Sequence, residues 1–407
     1  MTPGGSEMSG WDRGCDHQTD GGGTLAKSAF VAPKGGMVDQ LTVRSGQIVA
    51  LRLFDLAYEI DLRRAEAIWA QYAERPGTRG RLVSTPAKAV SFDVPPLALD
   101  LGPVAGLLGD GAPKASASAR LYDFGIAALA LRVPADNLSW AAFTALINQV
   151  DRAIGPVAPA DIWTAQLAHL RELLAPALHR PTLAAVQEDY LIALVNTFDA
   201  APSADELMER LDLVPLLAGE ERPLSDAARR DLLRQRFSYY RDDLVVLTWD
   251  RAFIYEPRRE TDVADVIEMA NAQLLEMRTY DEMLDDELPR MRRLATKARG
   301  GLNLLASRRY ARLARDLRSL VAEVTESTER VDNALQVTED VYLARVYAAA
   351  MEIFRVASVN AAIERKLAII RETYTALHDE AAAARAELLE IAVVLLIIAE
   401  VVVSLRH

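Results

Sequence analysis

From Gln47 onward the chain alternates between short, dense apolar runs and stretches in which apolar residues recur every three or four positions. The dense runs predict strands at Ile48–Ile60, Ala119–Val133 and Gln187–Phe198. A fourth, Asp243–Trp249, is joined to Ala252–Tyr255 through Asp250–Arg251, a link short enough for a hairpin. Between them Ser139–Val150, Asp161–Ala175 and Ala204–Val214 have the helical spacing. Pro95–Pro96 and Gly106–Ser118 read as loops. Strand–helix alternation with one hairpin predicts an α/β or α+β sandwich, with two split β-α-β units as one arrangement.

After Thr261 the pattern is helical. Thr261 or Asp262 is a suitable N-cap for a helix over Asp262–Leu288, which Pro289 is expected to end. Gly300–Gly301 reads as a second break and Leu302–Thr338 as a long helix. Glu339–Asp340 and Ser358–Asn360 are candidate turns. From Ile353 a seam of threes and fours runs through Asn360, Ile363, Leu367, Ile370, Tyr374 and Leu377 and continues past Ala381 and Ala384. Such a seam predicts a helical hairpin within one chain or pairing between subunits; in the second case Ile363, Leu367, Ile370, Tyr374 and Leu377 form the oligomer seam and Asn360 fixes its register.

The seam runs into an apolar block, Leu388–Leu405, LLEIAVVLLIIAEVVVSL, followed by Arg406 and His407. As a helix it is about 27 Å long. A hydrocarbon core of about 30 Å accepts about 17 residues as a lower limit. The block therefore predicts a single transmembrane tail anchor, with Leu388, Ile391, Leu395, Ile398, Val402 and Leu405 on its seam face and Arg385 and Arg406 at its ends. Glu390 falls near one interface; Glu400 falls deeper, where a charge costs roughly 2.5–3.5 kcal/mol on insertion scales. The competing expectation is an apolar end buried in a soluble oligomeric coiled coil.

Composition shapes the rest. The 407 residues carry a formal charge of -12, which argues against a general nucleic-acid binder. The single cysteine, Cys15, excludes an internal disulfide and a cysteine-based metal site, consistent with a reducing compartment. Residues 1–40, rich in Gly, Ser, Thr and Asp, predict a disordered leader with no secretory or organellar signal. Charge along the helices is uneven: Glu256–Leu288 is acidic, Arg290–Leu320 basic. Arg290, Arg292, Arg293, Lys297, Arg308, Arg309 and Arg312 are the candidates for contact with phosphate or anionic lipid heads, or they pair with the acidic helix.

Catalytic chemistry is not visible. There is no P-loop, no nucleophile elbow and no HExxH. His169 and His179 lack ligand-spaced partners, and the acidic run Asp281–Glu287 contains no histidine, so solvated helix surface is the expectation over a metal site. Trp249, Asp250 and Arg251 read as a turn with an aromatic anchor, and Tyr280 and Asp281 as helix-packing residues. No catalytic, cofactor-binding or metal residue is assigned, and no cofactor is expected.

Asp242–Glu256 (DDLVVLTWDRAFIYE) and Asp262–Leu288 (DVADVIEMANAQLLEMRTYDEMLDDEL) resemble the signature region of the required-for-meiotic-nuclear-division family. The resemblance continues through Arg330–Tyr347 and Arg365–Val403, and upstream Tyr122–Leu131 (YDFGIAALAL) is similar to that family's glycine-containing strand. It implies no enzymatic activity or cofactor, but membrane association and, for mitochondrial members, oligomeric tethers linked to organelle translation. The leader lacks presequence character, so a bacterial cytoplasmic face is expected instead. The combined expectation is an α+β chain: leader 1–40, mixed α/β domain 41–260, helical hairpin or coiled-coil stalk 261–387 and anchor 388–405. It would serve as a membrane-anchored homo-oligomeric scaffold presenting its body to the cytoplasm and to an unidentified protein partner. The alternatives are a ribosome- or RNA-associated factor at a membrane, and an enzyme with an unrecognised site in the α/β domain.

Overall fold

The computed structural model describes residues 41–72, 77–79, 91–92, 94–109, 113–158, 161–182, 186–220, 222–299 and 341–406, with scattered residues between 312 and 336. The leader 1–40 with Cys15, the pair Gly300–Gly301, most of Leu302–Thr338 and the Glu339–Asp340 turn lie outside them. The strands are β1 Thr42–Asp55, β2 Ala57–Ile60, β3 Thr78–Arg79, β4 Ser91–Phe92, β5 Leu97–Val104, β6 Ala115–Leu121 and β7 Ile126–Pro134. There follow β8 Leu138–Ser139, β9 Leu178–Pro181, β10 Gln187–Phe198, β11 Arg236–Phe237, β12 Leu244–Leu247, β13 Arg251–Tyr255 and β14 Leu335–Gln336. The helices are α1 Leu62–Tyr72, α2 Trp140–Ile154, α3 Asp161–Leu174, α4 Ala204–Arg210, α5 Val214–Ala218 and α6 Asp226–Leu232, then α7 Asp262–Arg299, α8 Val341–Ile353 and α9 Val356–Arg406.

Among the described residues one 10-stranded sheet runs in the order β11-β12-β13-β10-β1-β7-β6-β5-β3, with β8 beside β1. The long central strands β1 and β10 pair antiparallel from Val43–Phe198 to Phe54–Gln187. β7 flanks β1 antiparallel, whereas β13 joins β10 in parallel, by a connection through α4, α5 and α6. The fold is thus mixed α/β, a sheet body followed by C-terminal helices, as the sequence pattern predicts.

Both faces of the sheet are buried, and strand alternation sorts the side chains between them. Val49, Leu51, Leu53, Tyr190, Ile192 and Ala128 face one core, which they share with Val266, Ile267, Ala270 and Leu274 of α7 and with α8 and α9. Ile48, Ala50, Leu191, Ala193, Leu129 and Leu131 face the other, packed against Trp69 of α1, Phe143 and Ile147 of α2 and Leu170 of α3. This two-sided burial explains why the central strands read as continuous apolar runs. It also means that α7, α8 and the first part of α9 complete the sheet's core.

Several boundaries differ from the sequence reading. Ala119–Val133 is two strands, β6 and β7, paired as a hairpin from Ser116–Arg132 to Leu121–Ala127. Gly125 makes the reversal at φ +99, and a Cβ there would lie 1.8 Å from the Ala57 carbonyl oxygen. The run Ile48–Ile60 breaks at Leu56, whose amide donates to Gly125 O at 3.0 Å while β2 leaves to pair with β9. Within Ala204–Val214 the helix stops at an extended Leu211, and the Asp212 side chain accepts from the Val214 amide at 3.1 Å to start α5. Residues 115–118, read as loop, are strand, and β5 and α1 are additional elements.

Pro289 does not end α7: the helix carries it and continues to Arg299. The backbone hydrogen bond it forgoes falls where the helix is exposed and water can replace it. Ser358–Asn360 is helical as well. The break lies just before it, where Arg355 takes φ +55 between α8 and α9.

Candidate functional site

The longest helix, α9, has 51 residues and contains neither glycine nor proline. Its first stretch is amphipathic. Ile363, Leu367 and Ile370 are buried in the core beneath the sheet and Tyr374 is half-buried against it, while Glu364, Arg365, Arg371 and Glu372 face outward. Four of the five residues assigned to an oligomer seam are therefore covered, fully or in part, by their own chain; the Leu377 side chain lies outside the described ones. Asn360 sits half-buried with its side-chain oxygen lacking a hydrogen-bond partner.

A clamp fixes this stretch to α7. Lys366 Nζ reaches Asp281 Oδ1 and Asp285 Oδ1, each at 2.7 Å, and the Asp281 carbonyl at 3.1 Å. Burial works against the lysine charge, but the two carboxylates outweigh it and raise its pKa. Part of the acidic run thus holds an ammonium group of the neighbouring helix. Beside it, Tyr280 donates to Glu276.

From residue 375 onward every described side chain of α9 is exposed. The change of character comes at Leu389. From there to Leu405 the helix presents apolar side chains on every side, with Ile391 49 %, Leu395 60 %, Ile398 53 %, Val402 51 % and Leu405 82 % exposed. Val393, Leu396, Ile397 and Val403, off the seam, are equally bare. Glu390 and Glu400 are the two charged residues in this run. The Leu388 side chain lies outside the described ones. Large apolar surface of this kind marks a contact with another apolar phase.

Among the described residues no single helix is long and apolar enough to cross a membrane. The described apolar run, Leu389–Leu405, is 17 residues, about 26 Å of helix. One bent pair, Val341–Ile353 with Val356–Ala376 at 59°, has the length and composition. That pair buries Val346, Ala350, Phe354, Ile363 and Ile370 under the sheet, which accounts for its hydropathy as core.

The predicted basic patch is only partly in view. Arg290 pairs with Glu287 at 2.9 Å, whereas Arg293 and Arg312 are exposed. The side chains of Arg292, Lys297, Arg308 and Arg309 lie outside the described residues.

Polar groups inside the body pair with one another across the elements. Arg120 of β6 reaches Asp265 at 2.7 Å and Glu268 at 3.3 Å on α7, and Tyr122 donates to Glu268 at 2.9 Å. Desolvation raises the Glu268 pKa against the pull of Arg120. On the opposite face Arg251 is buried, its guanidinium bonded to Asp151 at 2.7 Å, Asn148 at 2.6 Å and the Leu216 carbonyl at 2.8 Å. The hairpin Trp249–Arg251 is thus anchored by its arginine, while Trp249 is 53 % exposed and lies edge-on to Phe354. His169 packs by Tyr72 and His179 is exposed on β9; among the described residues no group of acids, histidines and cysteines is arranged to hold a metal ion. Sequence reasoning missed Arg120 and Lys366 as partners of the α7 acids. The available signal was carboxylates at 265 and 268 inside an otherwise apolar stretch, which demand a buried cation.

Comparison with known proteins places the body. The family described as "Uncharacterized protein MJ0711, N-terminal domain" matches residues 45–262, more than half of the chain, and the chain belongs to that family. A protein of Methanocaldococcus jannaschii described as "Uncharacterized protein MJ0711" is 26% identical over 194 residues, 47% of this chain and 58% of the relative. The chain therefore spans less than two thirds of that relative's length. No solved structure matches. The matched residues comprise the sheet and the helices on its α1–α3 face; they stop where α7 begins.

Proposed function

We propose, with membership of this family as the premise, that the chain is a non-enzymatic scaffold held at a membrane by the apolar end of α9. The observation that carries this reading is the uncovered run Leu389–Leu405. A helix that is apolar all round belongs inside a membrane or a large core, and its own chain leaves this one bare. The length, about 26 Å, spans most of a hydrocarbon core of about 30 Å, with local thinning or flanking side chains making up the difference. Between the packed stretch ending at Tyr374 and the apolar run lie about 21 Å of helix, which would act as a spacer between the sheet body and the lipid surface.

The same reading gives the remaining expectations their place. The anchor, rather than Ile363–Ile370, is the segment with faces free to pair copies. Kinship with the required-for-meiotic-nuclear-division family is part of the proposal; it rests on Tyr122–Leu131 and, most strongly, on residues 242–403, most of the latter beyond the 45–262 match. A phosphate-binding role for the basic stretch has exposed Arg293 and Arg312 in its favour, but Arg290 is engaged by Glu287.

The test is fractionation of the full chain beside a 1–387 truncation, each washed with high salt and then alkaline carbonate. The full chain is expected to resist both washes and the truncation to become soluble. A full chain that is soluble from the start would end the membrane reading. Release by salt alone would shift the reading to electrostatic attachment through the basic stretch.

A further inference from the structure

Glu400 is an exposed carboxyl inside the apolar run, and no partner reaches it among the described residues. At 100° per residue it lies opposite Ile391, Leu395, Ile398, Val402 and Leu405, the heptad seam. Val393, Leu396, Ile397, Val403 and Ser404 surround it on its own side. The two sides of this helix thus differ in polar groups, the Glu400 carboxyl and the Ser404 hydroxyl, which the seam lacks.

That difference decides which side pairs, and the answer depends on the solvent. In water the seam would face inward and Glu400 would point outward, fully hydrated. In lipid the seam has no advantage, because acyl chains are as apolar as leucine and helix association rests on close packing and interhelical hydrogen bonds. Pairing along the seam would leave each copy's carboxyl facing acyl chains, the arrangement that insertion scales penalise most.

We propose, resting on the membrane reading above, that the anchor pairs with a second copy of this chain through the Glu400 face and not through the heptad seam. Both copies carry their sheet body on the same side of the bilayer, so the helices run parallel and the two Glu400 side chains meet at equal depth. A carboxyl O–H of one then donates to the carboxyl oxygen of the other, giving each polar group a partner of matching chemistry. The occupant must supply a polar group at this depth, and a parallel second copy does so by symmetry.

Cysteine cross-linking tests this in the full chain. On a Cys15→Ser background, single substitutions Val393→Cys, Leu396→Cys and Ile397→Cys are compared with Leu395→Cys, Ile398→Cys and Val402→Cys, and disulfide dimers are read in the carbonate-resistant fraction after mild oxidation. The first set is expected to cross-link and the second hardly at all. Added to the best cross-linking variant, Glu400→Gln, whose amide both donates and accepts, is expected to keep the dimer. Glu400→Leu should lower its association constant by about 5- to 30-fold while remaining carbonate-resistant. Seam cross-links, or none, in the carbonate-resistant fraction overturn this inference and leave the anchor standing. Seam cross-links in the soluble fraction overturn both. An unchanged dimer in Glu400→Leu also overturns the pairing role.

Discussion

Ile363, Leu367 and Ile370 near the start of α9, and Ile391, Leu395 and Ile398 near its end, are the same residue types at the same spacing. The first three are 3 %, 7 % and 0 % exposed; the second three are 49 %, 60 % and 53 % exposed. A seam alone therefore does not determine burial. What differs is the far side of the helix. Opposite the first set stand Glu364, Arg365, Arg371 and Glu372, which hold that side in water and turn the seam onto the sheet. Opposite the second stand Val393, Leu396 and Ile397 with the single carboxyl of Glu400, too little polar surface to hold that side in water.

The sharpest way to break this comparison is a matched pair of truncations. Ile370→Ala should destabilise the folded body by about 2–5 kcal/mol, the usual range for emptying a buried aliphatic site. Ile398→Ala, the same chemistry on the bare run, should change it by less than about 0.5 kcal/mol. Denaturant unfolding in mild detergent reads both, and equal losses would mean that the terminal run is part of the core after all.

A smaller effect comes from the clamp. Lys366→Met removes a partly buried cation from Asp281 and Asp285 and should cost about 1 kcal/mol. The lysine pKa is raised in the folded chain, so the clamp's contribution is complete below the ordinary lysine value and is lost only as pH rises through the raised one. Unfolding at pH 7 and above pH 11 checks this: the difference between variant and parent should shrink at the higher pH. Among the described residues no corresponding cation–carboxylate clamp is seen on the exposed run.

The smallest is a gain. The Asn360 side-chain oxygen is buried without a partner, so Asn360→Leu should stabilise by about 0.5–1 kcal/mol. It should leave the oligomeric state in detergent unchanged, as scattering can show. A change of oligomeric state would restore Asn360 to the register-setting role that its seam position suggests.

The sequence made the central strands legible because two-sided burial leaves dense apolar runs; Gln187–Phe198 matches β10 at both ends. It concealed the β6–β7 hairpin because Leu121 to Ile126 is apolar but for Asp123 and Gly125, which alone mark the reversal. Pro289 misled because a proline on an exposed stretch of helix costs one hydrogen bond, not the helix. The bare terminal run was plain from composition. The engagement of Ile363, Leu367 and Ile370 was not, since a seam that meets its own chain and one that meets another chain have the same spacing. Arg120 and Lys366 find Asp265 and Asp281 across 145 and 85 residues of chain, beyond the reach of any local pattern.

The absence of glycine and proline from α9 has a mechanical consequence. Such a helix is a lever with its short arm wedged under the sheet by Ile363–Ile370 and clamped by Lys366. Transmembrane helices tilt by about 20° on average, and more where the bilayer is thin. Across a spacer of about 21 Å, a tilt of 20° swings the sheet body sideways by about 7 Å. On the proposed membrane reading, this rod would translate membrane thickness into the position of everything the body carries.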